Sequence, residues 1–501
     1  MKFSKLIFSL TIIILIVAVS PAHSQCPPVY IFNGEAAGDR FGVSVASAGD
    51  VNGDGFDDLI VGAPINDAGG TSAGRAYVFS GQTGDTLYVF TGEAVSDYFG
   101  SSVASAGDVN NDGFDDLIVG AYLNSAGGIL AGRAYVFSGL NGDTLYVFTG
   151  EAKVRFGISV ASAGDVNNDG FDDLIVGAAH HPAAGTRTGR AYVFSGQTGE
   201  TFYTFTGEAA GDRFGHSVAS AGDVNNDGFD DLIVGAAGND AGGNNAGRAY
   251  VFSGLNGDTL YVFTGEAGGD VFGDSFGFSV ASAGDVNNDG FDDIIVGALR
   301  NDAGGLEAGR AYVFSGLNGD TIYVFTGEGR GDEFGISVAS AGDVNNDGFA
   351  DLIVGAQGND AGGFNAGQAY VFSGQTGNTI YVFTGEAPSD LFGNSVASAS
   401  DVDNDGFDDL IVGAFLSDAG GDRAGRAYVY LGTCFICADA NGDSLINFED
   451  VDFLMNFYFY GGGTPFPYLA SDLNCDGSVD IADITYLAAY INGTGAPPCC
   501  Q

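Results

Sequence analysis

The chain has 501 residues, of which 64 are Asp or Glu and 16 are Lys or Arg, so its formal net charge is −48. This balance excludes a nucleic-acid-binding protein, because phosphates are neutralised by Lys and Arg, and it disfavours docking onto an anionic membrane surface. Hydrophobic residues make up 45% of the chain, too many for a disordered protein, and its 84 glycines, 40 Phe and 22 Tyr indicate short strands joined by tight turns.

Residues 1–24 have the features of a secretory signal peptide. Lys2 and Lys5 precede an apolar run over 6–19, and a small residue, Ser24, precedes the expected cleavage site. No later segment is long and apolar enough to cross a membrane. We therefore expect a secreted protein, extracellular or associated with a cell surface and without membrane insertion, whose six cysteines can oxidise.

Residues 25–433 contain one unit repeated seven times. The string G-D-V-N-x-D-G-F-D-D-L-I-V-G-A, with small variations, recurs every 57 to 62 residues, a period typical of repeat architectures. The longest interval holds a four-residue insertion that leaves two Phe-Gly pairs. The first Asp of each copy is Asp50, Asp108, Asp165, Asp223, Asp285, Asp343 or Asp401.

The residue pattern of each unit predicts four strands, which in the first copy span 41–49, 59–62, 75–80 and 87–91. Strands of this length with β-branched and aromatic residues favour an all-β, seven-bladed propeller with four-stranded blades. The fourth strand follows only the first six units, and its seventh copy lies at the other end of the chain, over 29–33. A ring explains this displacement, because 29–33 would complete the last blade, whereas an open solenoid does not.

Two cysteines fall beside the turn that the last blade lacks. Cys434 aligns with Thr83 of the first unit, and Cys26 aligns with Gly84. We predict a Cys26–Cys434 disulfide that replaces the missing turn. The alternative is that Cys434 pairs with Cys437 or with another cysteine of the tail.

The acidic string of each unit predicts a calcium loop. Asp, Asn, Asp and Asp at positions 1, 3, 5 and 9, with the backbone carbonyl of position 7, place oxygen ligands around a tight turn, as Ca²⁺ requires. The alternative is an Asx turn that needs no metal, but seven copies of three or four crowded carboxylates favour a cation that offsets their repulsion. Position 8 is Ala350 in the sixth unit and is therefore not a predicted ligand. The seven predicted ligand sets are Asp50, Asn52, Asp54, Phe56 and Asp58; Asp108, Asn110, Asp112, Phe114 and Asp116; Asp165, Asn167, Asp169, Phe171 and Asp173; Asp223, Asn225, Asp227, Phe229 and Asp231; Asp285, Asn287, Asp289, Phe291 and Asp293; Asp343, Asn345, Asp347, Phe349 and Asp351; and Asp401, Asp403, Asp405, Phe407 and Asp409.

The unit resembles the FG-GAP repeat of integrin α-subunit propellers. Phe41-Gly42, the loop over 50–58 and Gly62-Ala63-Pro64 carry the resemblance, although the other copies lack the Pro. The resemblance implies seven blades, calcium in the loops between strands 1 and 2, and a protein or glycan ligand on the opposite face, formed by the 2–3 and 4–1 loops. The units also diverge mainly in the 2–3 loop, which indicates either a binding surface or tolerance of surface change. The divergent residues are Tyr122, Leu123, His180, His181, Leu299, Arg300, Phe364, Phe415 and Leu416.

Residues 434–501 follow a different pattern. Two acidic loops 33 residues apart each lead into an apolar helical pattern, and they resemble a type I dockerin. The resemblance implies a small α-helical domain with two bound Ca²⁺ ions and a cohesin-type partner, although Ser444 replaces the usual glycine; the alternative is a calcium-bound cap or surface-attachment tag. The predicted ligands are Asp439, Asn441, Asp443, Leu445, Asn447 and Asp450 in the first loop and Asp472, Asn474, Asp476, Ser478, Asp480 and Asp483 in the second. The pairing of Cys437, Cys475, Cys499 and Cys500 is left open.

The sequence offers no catalytic constellation. The histidines have no partner distinguishable from the repeat background, and unique Arg, His, Tyr and Glu residues are scattered along the chain. We interpret the protein as a non-catalytic binding or adhesion module; the alternative is a subunit, catalytic or not, of a cellulosome-like polysaccharide-degrading assembly. Arg330-Gly331-Asp332 resembles an adhesion triplet, but Asp332 is the Asp that precedes Phe-Gly in other units, as Asp39 does.

Overall fold

The computed structural model describes residues 27–266 and 273–432, and in the tail the helical residues 451, 453–455, 458–459 and 481–491. Gln25–Cys434 forms one compact unit, and the described residues of the tail belong to another. The predicted signal peptide, both cysteines of the predicted disulfide and both acidic loops of the tail, up to Asp480, lie outside the described residues. So does the side chain of Asp483.

Within the described residues, twenty-eight strands form seven four-stranded antiparallel sheets, one for each blade. Blades 1 to 6 each use four consecutive strands, and blade 7 has the order β1-β28-β27-β26. The strands are β1 Tyr30–Asn33; β2 Val45–Gly49, β3 Asp58–Ala63, β4 Arg75–Phe79, β5 Thr86–Thr91; β6 Ser102–Gly107, β7 Asp116–Ala121, β8 Arg133–Phe137, β9 Thr144–Thr149; β10 Val160–Gly164, β11 Asp173–Ala178, β12 Arg190–Phe194, β13 Thr201–Thr206; β14 Val218–Gly222, β15 Asp231–Ala236, β16 Arg248–Phe252, β17 Thr259–Thr264; β18 Ser279–Gly284, β19 Asp293–Ala298, β20 Arg310–Phe314, β21 Thr321–Thr326; β22 Phe334–Gly342, β23 Asp351–Ala356, β24 Gln368–Phe372, β25 Thr379–Thr384; β26 Phe392–Ser400, β27 Asp409–Ala414, β28 Arg426–Tyr430.

The predicted seven-bladed propeller with four-stranded blades is confirmed. The observed strand bounds differ from the predicted ones by one residue in most strands of blade 1, and by more in its first strand. The first strand spans nine residues only in blades 6 and 7, where it begins at Phe334 and Phe392. In blade 1 it begins at Val45, and Phe41 forms an isolated parallel bridge to Gly425 of the preceding blade, as the corresponding Phe does in every other blade.

The ring closes through its first strands. Each first strand contacts the first strands of the neighbouring blades, and β26 contacts β2. Serine hydroxyls link most of these pairs, since the amide of Val103 donates to Ser44 Oγ at 3.1 Å and the amide of Val45 donates to Ser395 Oγ at the same distance. The recurring serines therefore hold neighbouring blades together.

The N-terminal strand β1 completes blade 7, as predicted. It pairs antiparallel with β28 in the register Tyr30↔Val429 and Phe32↔Ala427. The Tyr30 hydroxyl donates to the Gln82 carbonyl of blade 1 at 2.9 Å, and the Phe32 ring stacks on Phe79 at 4.0 Å. These contacts repeat those between blades 1 and 2, where Tyr88 donates to a blade 2 carbonyl, so the closing boundary resembles the others.

The core lies between blades. The second strands are almost identical in sequence and fully buried. One cluster combines Phe41, Leu59 and Tyr77 of blade 1 with Ile411 and Val429 of blade 7. Because each blade buries its apolar faces against its neighbours, loss of one blade would expose apolar surface on the two blades beside it.

The described tail residues are helical. Ile481–Ile491 forms helix α1, and residues 451, 453–455 and 458–459 are also helical. Val451, Leu454, Ile484 and Leu487 are buried together. Among the described residues, no helix has the length and apolar character that crossing a membrane requires.

Candidate calcium loops and the opposite loop face

The antiparallel order of each blade separates two kinds of loop. The 1–2 loops and the 3–4 turns lie at one end of the strands, and the 2–3 and 4–1 loops lie at the other. The acidic string over 50–58 fills the 1–2 loop of blade 1. We call the end with the 2–3 and 4–1 loops the upper face, and the end with the acidic loops the lower face.

The first Asp of each acidic loop organises the loop backbone. Asp50 Oδ1 accepts hydrogen bonds from the amides of Gly53 and Asp54, and Oδ2 accepts one from Gly55 at 2.9 Å. The chain can turn this tightly because Gly53 and Gly55 have positive φ. The amides of positions 5 and 6 make the same bonds to position 1 in the other blades.

The last Asp of the loop is buried at the start of the second strand. Asp58 is fully buried and accepts hydrogen bonds from the amides of Gly81 and Val51 and from the Asn52 side chain. Burial, and then the charges of neighbouring Asp side chains, raise the pKa of Asp58 to about 7. The equivalent Asp residues of blades 2 to 6 also have a pKa of about 7, and that of Asp409 is about 8. These carboxylates therefore lack a compensating positive charge from the protein.

The loop of blade 7 brings three carboxylates closest together. One oxygen from each of Asp401, Asp403 and Asp405 lies within 4.8 Å of the other two. Blade 7 has Asp403 where the other blades have Asn, so its loop carries one more carboxylate. Hard carboxylate and carbonyl oxygens around a glycine turn are the donors that Ca²⁺ prefers, so the residues present fit this ion.

The Asp at position 8, excluded as a ligand from sequence, links neighbouring blades. Asp115 Oδ2 accepts a hydrogen bond from the Asp50 amide of the preceding blade at 3.0 Å. The same bond recurs at most blade boundaries. At Ala350 it is missing, because alanine has no acceptor side chain. No sequence pattern identified this role, since the bond joins residues of different units.

The upper face carries unusual backbone conformations at two positions in every blade. One directly precedes Phe-Gly, as Arg40 does, and the other lies in the 2–3 loop, as Ser72 does. Both have positive φ without being glycine. The amide of the first donates to the carbonyl of the second across the blade boundary, as Tyr98 does to Ser72 at 3.2 Å. The residues that precede Phe-Gly are Arg40, Tyr98, Arg155, Arg213, Ser275, Glu333 and Leu391, and their 2–3 loop partners are Arg423, Ser72, Leu130, Arg187, Asn245, Glu307 and Asn365.

The divergent residues of the upper face differ in exposure. Phe364 is 69% exposed, whereas Leu299 and His181 are buried. Tyr122 is half-buried beneath the Arg155 guanidinium, 5.8 Å from its ring centre. Some of the divergent side chains are therefore buried within the blades, and others are exposed at the surface.

Blade 3 lacks a polar pair that other blades share. In blade 1 the Asn66 amide donates to the buried Asp39 at 2.9 Å. In blade 3, Val154 and His181 occupy the positions of that Asp and Asn, and both ring nitrogens of the buried His181 are without hydrogen-bond partners among the described residues. His216, the third histidine of the ring, lies against Phe278 with its Nδ1 3.3 Å from the Phe278 carbonyl oxygen.

Asp332 of the Arg-Gly-Asp triplet has the structural role of the repeat Asp. Its side chain is buried and accepts hydrogen bonds from the Gly329 amide at 2.8 Å and from Asn359. The triplet therefore does not present its carboxylate at the surface.

Seven four-stranded blades closed by β1, each with an acidic loop on the same face, define a β-propeller with one acidic loop per blade. The FG-GAP repeat family model matches residues 41–79, 99–137, 156–194, 214–252, 276–314, 334–372 and 392–430, more than half of the chain. The chain belongs to the FG-GAP repeat family.

Similar proteins include several integrin α subunits. The chain is 37% identical to integrin alpha-5 of Xenopus laevis over 219 residues, which cover 40% of this chain and 20% of that protein. It is 32% identical to integrin alpha-V of Gallus gallus over 222 residues, again 40% and 20%, and 32% identical to integrin alpha-8 of Gallus gallus over 244 residues, 45% and 21%. Each match thus spans about a fifth of the integrin chain.

Proposed function

We propose that this chain is a secreted, calcium-loaded, non-catalytic binding module that takes a protein or glycan ligand on its upper face. The supporting observation is where the blades differ. Their second and third strands are almost the same in all seven copies, whereas the side chains at the two positive-φ positions of the upper face range from Ser to Arg. Non-glycine residues at positive φ are energetically unfavourable, so their variety there indicates that side chains are used at this face.

Calcium would be held in the 1–2 loops, about seven ions in the propeller and two in the tail. The side chains of positions 1, 3, 5 and 9 and the carbonyl of position 7 would bind each propeller ion, which supplies the positive charge that the buried carboxylates lack. The ion would stabilise each loop and the blade boundary next to it, and it takes part in no reaction.

The non-catalytic assignment is supported by the histidines. His181 is buried without a hydrogen-bond partner, and His216 is placed against a backbone carbonyl. Among the described residues, neither ring makes a hydrogen bond to a Ser, Cys or carboxylate, so neither is placed to act as a general base.

The dockerin-like tail would attach the protein to an extracellular complex through a cohesin-type partner. Its two acidic loops and the apolar spacing of the residues that follow them carry this part of the proposal. The burial of Leu454 together with Leu487 is consistent with two helices that pack against each other.

The test is capture of partners from the extracellular fraction of the source organism by the immobilised full chain, with Ca²⁺ and with chelator. Phe364→Ala removes an exposed side chain from the upper face, and Leu255→Ala removes one that is 51% exposed from a 3–4 turn on the lower face. We expect calcium-dependent capture that Phe364→Ala weakens and Leu255→Ala leaves intact. Capture that depends only on the lower-face residue would contradict the proposal.

A further inference from the structure

The cations of this acidic protein are placed at one end of the propeller. Between residues 27 and 432, every Lys and Arg lies in a 2–3 or 4–1 loop or begins a third strand at that end, and none lies in a 1–2 loop or a 3–4 turn. The third-strand arginines Arg75, Arg133, Arg248, Arg310 and Arg426 are each paired with a Glu, at 2.6–3.4 Å. The cations outside this pairing scheme therefore belong to the upper face or its margin.

Three of these arginines and a histidine form a patch around blade 3, the basic patch of Arg155, His180, Arg187 and Arg213. The Arg213 amide donates to the Arg187 carbonyl at 3.0 Å, so the two arginines are adjacent across the boundary between blades 3 and 4. Within the described residues, none of the three arginines has a carboxylate within 4.0 Å.

The charges of the patch act on one another. Burial, and then Arg155, Arg187 and Arg213, lower the pKa of His180 to about 4. Partial burial, and then the neighbouring Arg187 and Arg300, lower the pKa of Arg213. Positive charges held together without a counter-ion indicate a surface completed by an anionic ligand.

The sequence around the patch lacks acidic residues that other blades have at the same positions. The 2–3 loop of blade 3, residues 179–189, contains no Asp or Glu, whereas the corresponding loop of blade 7 contains Asp418 and Asp422. Val154 also replaces the Asp that most blades have two residues before Phe-Gly. Two of the arginines, Arg187 and Arg213, are exposed at positive φ, where glycine would be less strained.

We propose that the basic patch binds a short acidic segment of a partner protein, an inference that rests on the proposed ligand-binding role of the upper face. Arginine pairs with carboxylates through two parallel hydrogen bonds, which suits Asp and Glu side chains. A long polyanion is disfavoured, because beyond the patch it would meet the Asp and Glu residues in the 2–3 loops of blades 5 and 7, in a chain of charge −48. Screening limits this repulsion to about 8–10 Å, so a short segment avoids it.

The experiment measures binding of a fluorescent peptide of eight alternating Asp and Glu residues to the calcium-loaded full chain by anisotropy. Its Asn/Gln counterpart, polygalacturonate and dextran sulfate are the comparison ligands. Arg187→Ser with Arg213→Ser removes two charges from the patch. The matched control is Arg423→Ser with Arg40→Ser, because these residues occupy the same two repeat positions at the boundary between blades 7 and 1, where the Arg40 amide donates to the Arg423 carbonyl at 3.3 Å.

We expect the blade 3–4 variant to weaken acidic-peptide binding at least tenfold and the control variant to weaken it less than threefold. Raising NaCl from about 50 to 300 mM should also weaken it. Equal losses in the two variants, no binding of the peptide, or tighter binding of either polysaccharide would overturn the inference. If the natural chain captures a partner in a calcium-dependent way and the blade 3–4 variant captures it equally well, only this inference fails. If the natural chain shows no calcium-dependent capture, the proposed function fails.

Discussion

The Asp115 carboxylate accepts a hydrogen bond from the backbone amide of Asp50, which belongs to the neighbouring blade and opens its acidic loop. The contact connects the acidic loop of one blade to the residue that directly precedes the second strand of the next. Packing of neighbouring blades and order in the acidic loops are thereby coupled around the ring.

Replacing Asp115 by Ala should destabilise the calcium-loaded protein by about 1 kcal/mol, because the Asp50 amide loses its acceptor. Urea unfolding measures the change. Asp143→Ala, which removes an equal charge from an exposed turn, is the control and should leave the midpoint almost unchanged. Equal effects of the two substitutions would show that total charge, and not the bond, matters.

Replacing Phe32 by Ala should destabilise the ring by about 2–4 kcal/mol, since its half-buried side chain stacks on Phe79 at the closing boundary. Phe90→Ala, which removes the equivalent stack on Phe137, is the matched control. Similar losses in thermal unfolding are expected if the closing boundary is as well packed as the others. A negligible effect of Phe32→Ala alone would contradict closure by β1.

Calcium removal should lower the melting temperature, because each site that binds only the folded chain adds about 2.7 kcal/mol at a hundredfold excess of calcium over Kd. Asp403→Asn gives a sharper test, since it converts the loop of blade 7 to that of the other six. The variant should be less stable than the natural chain in Ca²⁺ and more stable in chelator, by on the order of 1 kcal/mol, as repulsion with Asp401 and Asp405 is relieved. The same sign in both conditions would argue against a bound ion there.

The Val154 and His181 positions of blade 3 should be energetically coupled. Val154→Asp alone buries a carboxylate without an amide partner, and we expect it to destabilise by about 1–3 kcal/mol. Adding His181→Asn restores the pair found between Asp39 and Asn66 and should recover most of that loss. A double-mutant cycle by denaturant unfolding measures the coupling, and additive effects would show that the pair does not form.

The His180 imidazole should titrate near pH 4, which NMR of its ring protons measures after assignment with His180→Asn. The groups that face it are Arg155, Arg187, Arg213 and His216. Its ordinary pKa is about 6.5, so between pH 6.5 and 4 the unfolded chain takes up a proton that the folded chain does not, and stability falls as the pH drops through this window.

Arg187→Ser with Arg213→Ser should raise the pKa of His180 toward its ordinary value, because two nearby positive charges are removed. Arg40→Ser with Arg423→Ser should leave it near 4. An unchanged pKa in the first variant would show that burial alone lowers it.

The blades, their order and the closing strand could be predicted because six blades are each encoded in one continuous stretch, and the closing strand repeats the fourth-strand pattern of those six. Contacts between blades could not. The role of Asp115 and the gathering of Arg155, His180 and Arg213 depend on which units become neighbours in the ring, and from the sequence the latter side chains were treated as scattered. The Cys26–Cys434 disulfide and the ligands of the tail stay predictions, since they lie outside the described residues.

The pairing of β1 with β28 joins the two ends of the propeller, and the Arg426 guanidinium meets the Asn33 side chain across 393 residues of chain. A ribosome releases β1 first, when six nearly identical third strands have yet to emerge as competing partners. Each of those six is followed at once by its own fourth strand, and a short hairpin forms far faster than a distant pairing. Because the third strands of blades 1 to 6 pair quickly with their own fourth strands, β28 is the third strand still unpaired when synthesis reaches it, and β1 pairs with it.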